Sequence, residues 1–170
     1  INKQFGGHLC ALVQTDVFDA MTAKAGEIAA LYEQCDYSKA MREIMTLADQ
    51  ANQFIAEEAP WTLIKDGATR SRAHQVCSDG LNLFRLLVVY LKPVMPGLAE
   101  RAEQFLNIEP LSWQDLESPL CDHTINPFTP LLARLDQKQV DLLVAPAENT
   151  SSPKPAETQT DASDGTESIG

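Results

Sequence analysis

The chain has 170 residues, of which 44% are hydrophobic and 22% are charged. This length and composition suit one globular domain with a core and exclude a collagen, a coiled coil and a wholly disordered chain. The net charge of -11, from 13 basic and 24 acidic residues, argues against non-specific wrapping of nucleic acid and leaves room only for a local basic patch.

The cysteines lie far apart in the sequence, at Cys10, Cys35, Cys77 and Cys121. They form no Cys-x-x-Cys pair, which predicts reduced, mostly buried thiols of a cytoplasmic protein. The longest apolar run, 81–91, is shorter than the roughly 20 residues that span a bilayer, so it is interpreted as a core helix. Because the chain opens with Ile1 in the middle of a running pattern, we expect a piece of a longer protein.

Apolar residues recur at helical spacing through residues 1–144, and strand alternation is almost absent. The first predicted helix covers 16–34. One apolar face marks it, formed by Val17, Met21, Ile28 and Leu31.

The clearest helix follows Asp36 or Ser38, either of which can cap it, and stops before Pro60. Its apolar stripe consists of Ala40, Met41, Ile44, Leu47, Ala48, Ala51, Phe54 and Ile55. Three polar residues lie on another face, namely Arg42, Asp49 and Gln53.

A third helix is predicted over 69–92, where Pro93 breaks it, and a fourth over 97–106 after Pro96. A proline-rich connection follows over 108–130, and within it Ser112 and Asp115 have the spacing of a capping box. A last helix is predicted over 137–144. The sum is an all-α antiparallel helix bundle with one loop-rich connection.

Residues 145–170 contain one basic and five acidic side chains and a single large aliphatic residue, Ile169. Such a segment buries too little apolar surface to offset its ordering entropy, so we predict a disordered acidic linker or tail. The predicted domain is therefore 1–144.

The motifs of enzyme chemistry are absent from the sequence. It has no glycine-rich phosphate loop and no nucleophile elbow. Two His and Cys pairs, His8 with Cys10 and Cys121 with His123, lack the further ligands of a typical zinc site. We predict no catalytic residue, no metal site and no cofactor in this chain.

The most informative stretch is ANQFIAEEAPW, which ends at Trp61. Pro60 stops the helix and fixes the backbone, so Trp61 is held at a rigid corner. One interpretation packs this ring under Leu63 and Ile64 as part of the core. The other makes it a platform for an unpaired nucleobase.

Asn52 lies inside the apolar stripe, where a buried amide tied to a neighbouring backbone is the favoured interpretation and a base-edge reader the alternative. A phosphate-facing patch is a further hypothesis for the basic residues near the second helix. They are Lys3, Lys39, Arg42, Lys65, Arg70 and Arg72.

Five segments together resemble the C-terminal helical anticodon-binding domain of bacterial methionyl-tRNA synthetases, which are class I aminoacyl-tRNA synthetases. They are INKQF at 1–5, KAMREIM at 39–45, ADQANQFIAEEAPW at 48–61, GLNLFRLLVVYLKPVMP at 80–96 and INPFTPLLARLD at 125–136. The A-N-x-[FY]-[ILV]…P-W element occurs loosely in other class I synthetases, whereas its combination with L-x-P-x-x-P and N-P-F…R-[IL]-D is much more specific.

The resemblance implies a module that binds the CAU anticodon loop of methionine tRNA. Trp61 would stack on the first anticodon base and Pro60 would hold the corner. Asp49 would contribute to anticodon discrimination, and Asn52 would shape the same surface. Among the basic residues, phosphate contacts are expected from Lys3, Arg42 and Lys65.

The chain departs from the family's full pattern in several places. The adenylation signatures H-I-G-H and K-M-S-K-S are missing, and the Asn and Arg that read anticodon bases in the family would precede Ile1. Ala56 replaces a second acidic residue of the helix. Aminoacylation, with ATP, Mg and optionally Zn, would therefore belong to a catalytic domain of the same polypeptide, and a homodimer would need a C-terminal domain outside this chain.

Two rival interpretations stay open. One is a helical protein-interaction module with a groove for a partner helix. The other is the anticodon domain of another class I synthetase, such as that for leucine or cysteine.

Overall fold

The computed structural model describes residues 1–11 and 15–132. These residues form seven α-helices and one 3-10 helix, with a single antiparallel bridge between His8 and Thr124 as the only β-type pairing among them. The helices are α1 Asn2–Phe5, α2 Asp16–Thr22, α3 Ala25–Glu33, α4 Tyr37–Glu58, α5 Pro60–Leu63, α6 Arg70–Leu91 and α7 Pro96–Leu106, and the 3-10 helix is Trp113–Glu117. The all-α prediction is confirmed.

The single helix predicted over 16–34 is wrong, because the structure has two helices there. At the junction the Lys24 N–H donates to the Met21 carbonyl, three residues back, which tightens the last turn of α2. Between Met21 and Ile28 the sequence offers no large apolar side chain to hold a continuous helix against the core. Both of these residues are fully buried, so each short helix still presents its predicted face to the core.

Helix α4 follows its predicted pattern. The Asp36 carboxylate accepts a hydrogen bond from the Lys39 N–H at 3.1 Å and caps the helix. The centre of the stripe is buried and its edges are half-buried. The buried residues are Ala40, Ile44, Leu47 and Ala51.

Helix α6 lies antiparallel to α4 through the centre of the bundle. Ile55 of α4 packs at Gly80, and Glu58 meets Arg72. The predicted bounds of α6 and α7 are confirmed to within one residue at each end, and Pro96 occupies the first turn of α7 as expected.

Polar side chains of α6 hold the proline-rich connection, which passes beside the core. Asn82 exchanges two hydrogen bonds with the backbone of Leu120, at 2.7 and 3.0 Å. Arg85 is buried and donates to the Asp115 carbonyl at 2.7 Å. The predicted capping box of Ser112 and Asp115 is confirmed at the 3-10 helix.

The thiols are less buried than predicted. All four cysteines are free, but three are half-buried and Cys35 is exposed. The tendency of cysteine to be buried therefore did not determine the burial of these side chains. The predicted helix over 137–144 and the predicted tail over 145–170 lie outside the described residues. No helix in the described part of the chain is long and apolar enough to cross a membrane.

Candidate nucleic-acid interface

Trp61 lies on an exposed corner between the two long helices. Ala59 takes the left-handed backbone conformation at φ 44° and ψ 58°, which ends α4, and Pro60 begins the one-turn helix α5. The Trp61 side chain is 57% exposed. The interpretation of this ring as a core residue under Leu63 and Ile64 is therefore wrong, and the rigid corner presents it to solvent.

A shallow apolar cavity of about 250 Å³ opens beside the covered part of the ring. It is lined from α1, α5 and α6, by residues that include Phe5, Ile64, Ala73 and Cys77. Burial raises the pKa of the Cys77 thiol, which favours its neutral form at this apolar wall. The cavity can hold a flat or aliphatic group next to the Trp61 ring.

The residues from α1 that line this cavity are held in place by α6. The Arg70 guanidinium lies 5.2 Å from the centre of the Phe5 ring and donates to the Gln4 carbonyl at 2.7 Å. The His74 ring stacks on Phe5, with 4.2 Å between ring centres. These partners are 65 positions or more apart in the sequence, and no local pattern signals such contacts.

Asp49 and Asn52 are both exposed on α4. The favoured interpretation of Asn52 as a buried amide is wrong. A helix turns about 100° per residue, so Asn52 points well away from the buried Ala51, beyond the edge of the stripe. Its amide is open to a ligand, as the base-edge alternative requires.

The six basic residues do not form one patch around Trp61. Arg70 and Arg72 are bound within the domain, to Gln4 and to Glu58. Arg42 lies 16 residues before the end of α4, about 24 Å along the helix axis.

Lys3 and Lys65 are nearer to the corner. Each is exposed and directly adjoins residues that line the cavity beside Trp61. Lys39 lies in the first turn of α4, at the other end of that helix.

The two His and Cys pairs do not assemble a metal centre. His8 contacts Asp122 at 3.0 Å and Thr124 at 3.1 Å, and His123 contacts the Leu106 carbonyl at 2.7 Å. No group of three or more potential ligands is placed to hold a metal ion within residues 1–11 and 15–132.

Comparisons with known proteins identify the family of this chain and its fold. A family model described as the anticodon binding domain of methionyl tRNA ligase matches residues 6–126. Among solved structures, the free form of Mycobacterium tuberculosis methionyl-tRNA synthetase matches with a TM-score of 0.70 and 20% identity, covering 79% of this chain and 29% of that one.

Two structures of the same enzyme with methionyl-adenylate match with TM-scores of 0.67 and 0.66, at 20% and 21% identity. They cover 76% and 78% of this chain and 28% of each enzyme chain. At these identities the structures establish the fold, and this chain spans less than a third of their length.

Proposed function

The chain belongs to the family of anticodon-binding domains of methionyl-tRNA ligases, and from that premise we propose that it binds the CAU anticodon loop of methionine tRNA. In this proposal a catalytic domain of the same polypeptide, acting in the cytoplasm with ATP and Mg, attaches methionine to the bound tRNA. This chain supplies recognition and no catalytic group.

The exposed Trp61 ring on its rigid corner is the observation that carries the proposal. Unpaired bases of an RNA loop are recognised by stacking on aromatic rings and by hydrogen bonds to their edges. Stacking one base on an aromatic side chain contributes roughly 1 to 3 kcal/mol. A ring that the fold already holds in place before binding loses little conformational entropy on binding.

Exposed polar groups on α4 and beside the cavity supply the remaining requirements of loop recognition in this proposal. The exposed amide of Asn52 offers both a donor and an acceptor, and Asp49 lies about one turn away on α4. In this proposal Lys3 and Lys65, which are exposed and adjoin residues that line the cavity, meet phosphates on either side of a stacked base. Arg42, further along α4, would contact a more distant phosphate.

The test compares Trp61→Leu with the unmodified chain by titration with a methionine anticodon stem-loop and with the same loop altered at CAU. Leucine keeps apolar bulk against the cavity and removes the stacking surface. We expect the Kd for the CAU loop to rise by roughly 5- to 150-fold, which is the stacking range given above.

Tyr37→Leu is the matched control, because Tyr37 is a 51% exposed aromatic residue at the opposite end of α4. Its Kd should stay unchanged. Equal affinity of Trp61→Leu and the unmodified chain would overturn the stacking proposal. Equal binding of the CAU loop and the altered loop would show that this chain does not read the triplet.

A further inference from the structure

Glu58 and Arg72 join the end of α4 to the start of α6 beside the Trp61 corner. The guanidinium makes two hydrogen bonds to the Glu58 carboxylate, from Nε to Oε2 at 3.1 Å and from Nη2 to Oε1 at 2.5 Å. Such a bidentate pair fixes the relative orientation of the two side chains as well as their distance. Glu58 is the last residue of α4, so the pair holds the corner at its entrance.

Thr69 holds the same corner at its exit. Its hydroxyl donates to the Leu63 carbonyl at 2.6 Å, and Leu63 is the last residue of α5. Thr69 is itself the residue that precedes α6. The segment that carries Trp61 is thus attached to the first turn of α6 on both sides.

The corner has little stability of its own. The left-handed conformation of Ala59 is unfavourable for a residue with a Cβ atom. Helix α5 has only four residues, and a single helical turn is not stable in isolation. Contacts from outside the segment must therefore keep the Trp61 ring in one orientation.

We propose that Arg72, acting through Glu58, and Thr69, acting through Leu63, are positioning residues that hold the Trp61 ring ready for an unpaired nucleobase. This inference rests on the proposed function. Without these contacts the corner samples other conformations, and binding has to order it again. Ordering one side chain and its segment on binding corresponds to a loss of about 2- to 12-fold in affinity.

The test uses Arg72→Ala, Glu58→Ala and the double variant, each in a Trp113→Phe background that leaves Trp61 as the only tryptophan. The anisotropy decay of Trp61 fluorescence in the free protein reports the motion of the ring. Titration with the methionine anticodon stem-loop reports affinity. We expect faster local motion and a Kd about 2- to 12-fold higher for each single variant, with no further loss in the double variant.

Glu58→Ala separates positioning from simple electrostatics. Removing a carboxylate near an RNA site favours RNA binding on charge alone, whereas loss of positioning weakens it. Lys24→Ala is the matched control, since it removes the same kind of ion pair, to Glu27 on α3, and should change neither readout. Thr69→Val is a further variant that leaves the charge unchanged, for use if Arg72→Ala does not fold. We expect it to show the same faster Trp61 motion and the same rise in Kd as Arg72→Ala.

The possible results discriminate between the two proposals. Unchanged Trp61 motion and affinity in all these variants, with weak binding by Trp61→Leu, would overturn positioning and leave the proposed function standing. Tighter binding by Glu58→Ala would also overturn it. Absence of binding by the unmodified chain would refute the proposed function, while the anisotropy decay would still test the attachment of the corner.

Discussion

At Gly80, α6 packs closely against Ile55 of α4, and this contact provides a sharp test of the packing that supports the corner. A Cβ atom at Gly80 would lie 2.6 Å from Cδ1 of Ile55 and 3.5 Å from its Cγ1. Non-bonded carbon atoms prefer separations of about 3.5 to 4.0 Å, so only the Cδ1 contact is too short. Gly80→Ala therefore forces the end of the Ile55 side chain, or the helices, to move.

Two effects of opposite sign determine the result. Alanine is favoured over glycine inside a helix by about 1 kcal/mol. Overpacking against Ile55 costs about 1 to 3 kcal/mol. The net expectation for Gly80→Ala is a decrease of about 0 to 2 kcal/mol in the free energy of unfolding.

Ile55→Val removes the Cδ1 atom and leaves the ordinary contact at 3.5 Å. In that background Gly80→Ala should raise the free energy of unfolding by about 1 kcal/mol, because only the helix preference remains. The coupling energy between the two sites should then be about 1 to 3 kcal/mol. Urea unfolding of the four proteins in this cycle measures it.

Gly26→Ala on α3 is the control, since a Cβ atom there meets nothing within 4 Å. It should stabilise the protein by about 1 kcal/mol whichever residue occupies position 55. The argument is refuted if Gly80→Ala changes stability equally in both backgrounds, because the close approach of the helices would then have no energetic consequence.

Two further predictions concern pH and salt. Burial raises the pKa of the Tyr90 hydroxyl to about 12, and this hydroxyl donates to the Met21 carbonyl. The raised pKa corresponds to about 3 kcal/mol of folding stability. This stability should be present below pH 10 and lost as the pH rises through 12. Between pH 9 and pH 11.5 the free energy of unfolding should decrease less for Tyr90→Phe than for the unmodified chain. An equal decrease in both proteins would show that the Tyr90 hydroxyl is not the group responsible. Lys65→Ala should reduce the slope of log Kd against log salt concentration by about 0.7, the value for one phosphate contact on a single strand, in titrations with the anticodon stem-loop. Arg42→Ala should reduce that slope by less than Lys65→Ala does, since Arg42 lies about 24 Å further along α4. A larger effect of Arg42 than of Lys65 would move the RNA towards the middle of α4.

The long helices could be predicted because their signals are local. Asp36, the apolar stripe and Pro60 together define α4, and each acts within a few residues of the position it determines. The capping box at Ser112 is equally local. The corner at Trp61 was predictable for the same reason, since a proline after a helix restricts the backbone whatever the tertiary structure.

Burial and long-range contacts could not be predicted in this way. The outward direction of Asn52 depends on where α6 lies against α4. The spacing of apolar residues locates the buried face of a helix but does not show how wide that face is. Trp61 is exposed although most large aromatic residues are substantially buried, and the sequence does not show that an open cavity lies beside its ring.

The break between α2 and α3 shows a related limit. No proline or glycine marks it at Ala23 or Lys24, and every residue there is compatible with a continuous helix. Tertiary packing of Met21 and Ile28 overrides this local preference. The contacts of Arg70 and Arg72 are likewise set by the fold, and they remove two of the six basic residues from the predicted phosphate-facing patch.

Under the proposed function, the net negative charge of the domain does not oppose RNA binding at this corner, because the expected contact is local and mostly apolar. The charge of -11 is spread over the chain, and screening at physiological salt limits its repulsion to about 8 Å. Beside the ring, the carboxylate of Glu58 is paired with Arg72, while Lys3 and Lys65 stay available to phosphates. Stacking releases no counterions, so affinity that depends on Trp61 should vary less with salt than affinity that depends on phosphate contacts. In this proposal the ion pair between Glu58 and Arg72 therefore has two effects. It neutralises a carboxylate that would repel RNA, and it fixes the corner that carries the stacking surface of Trp61.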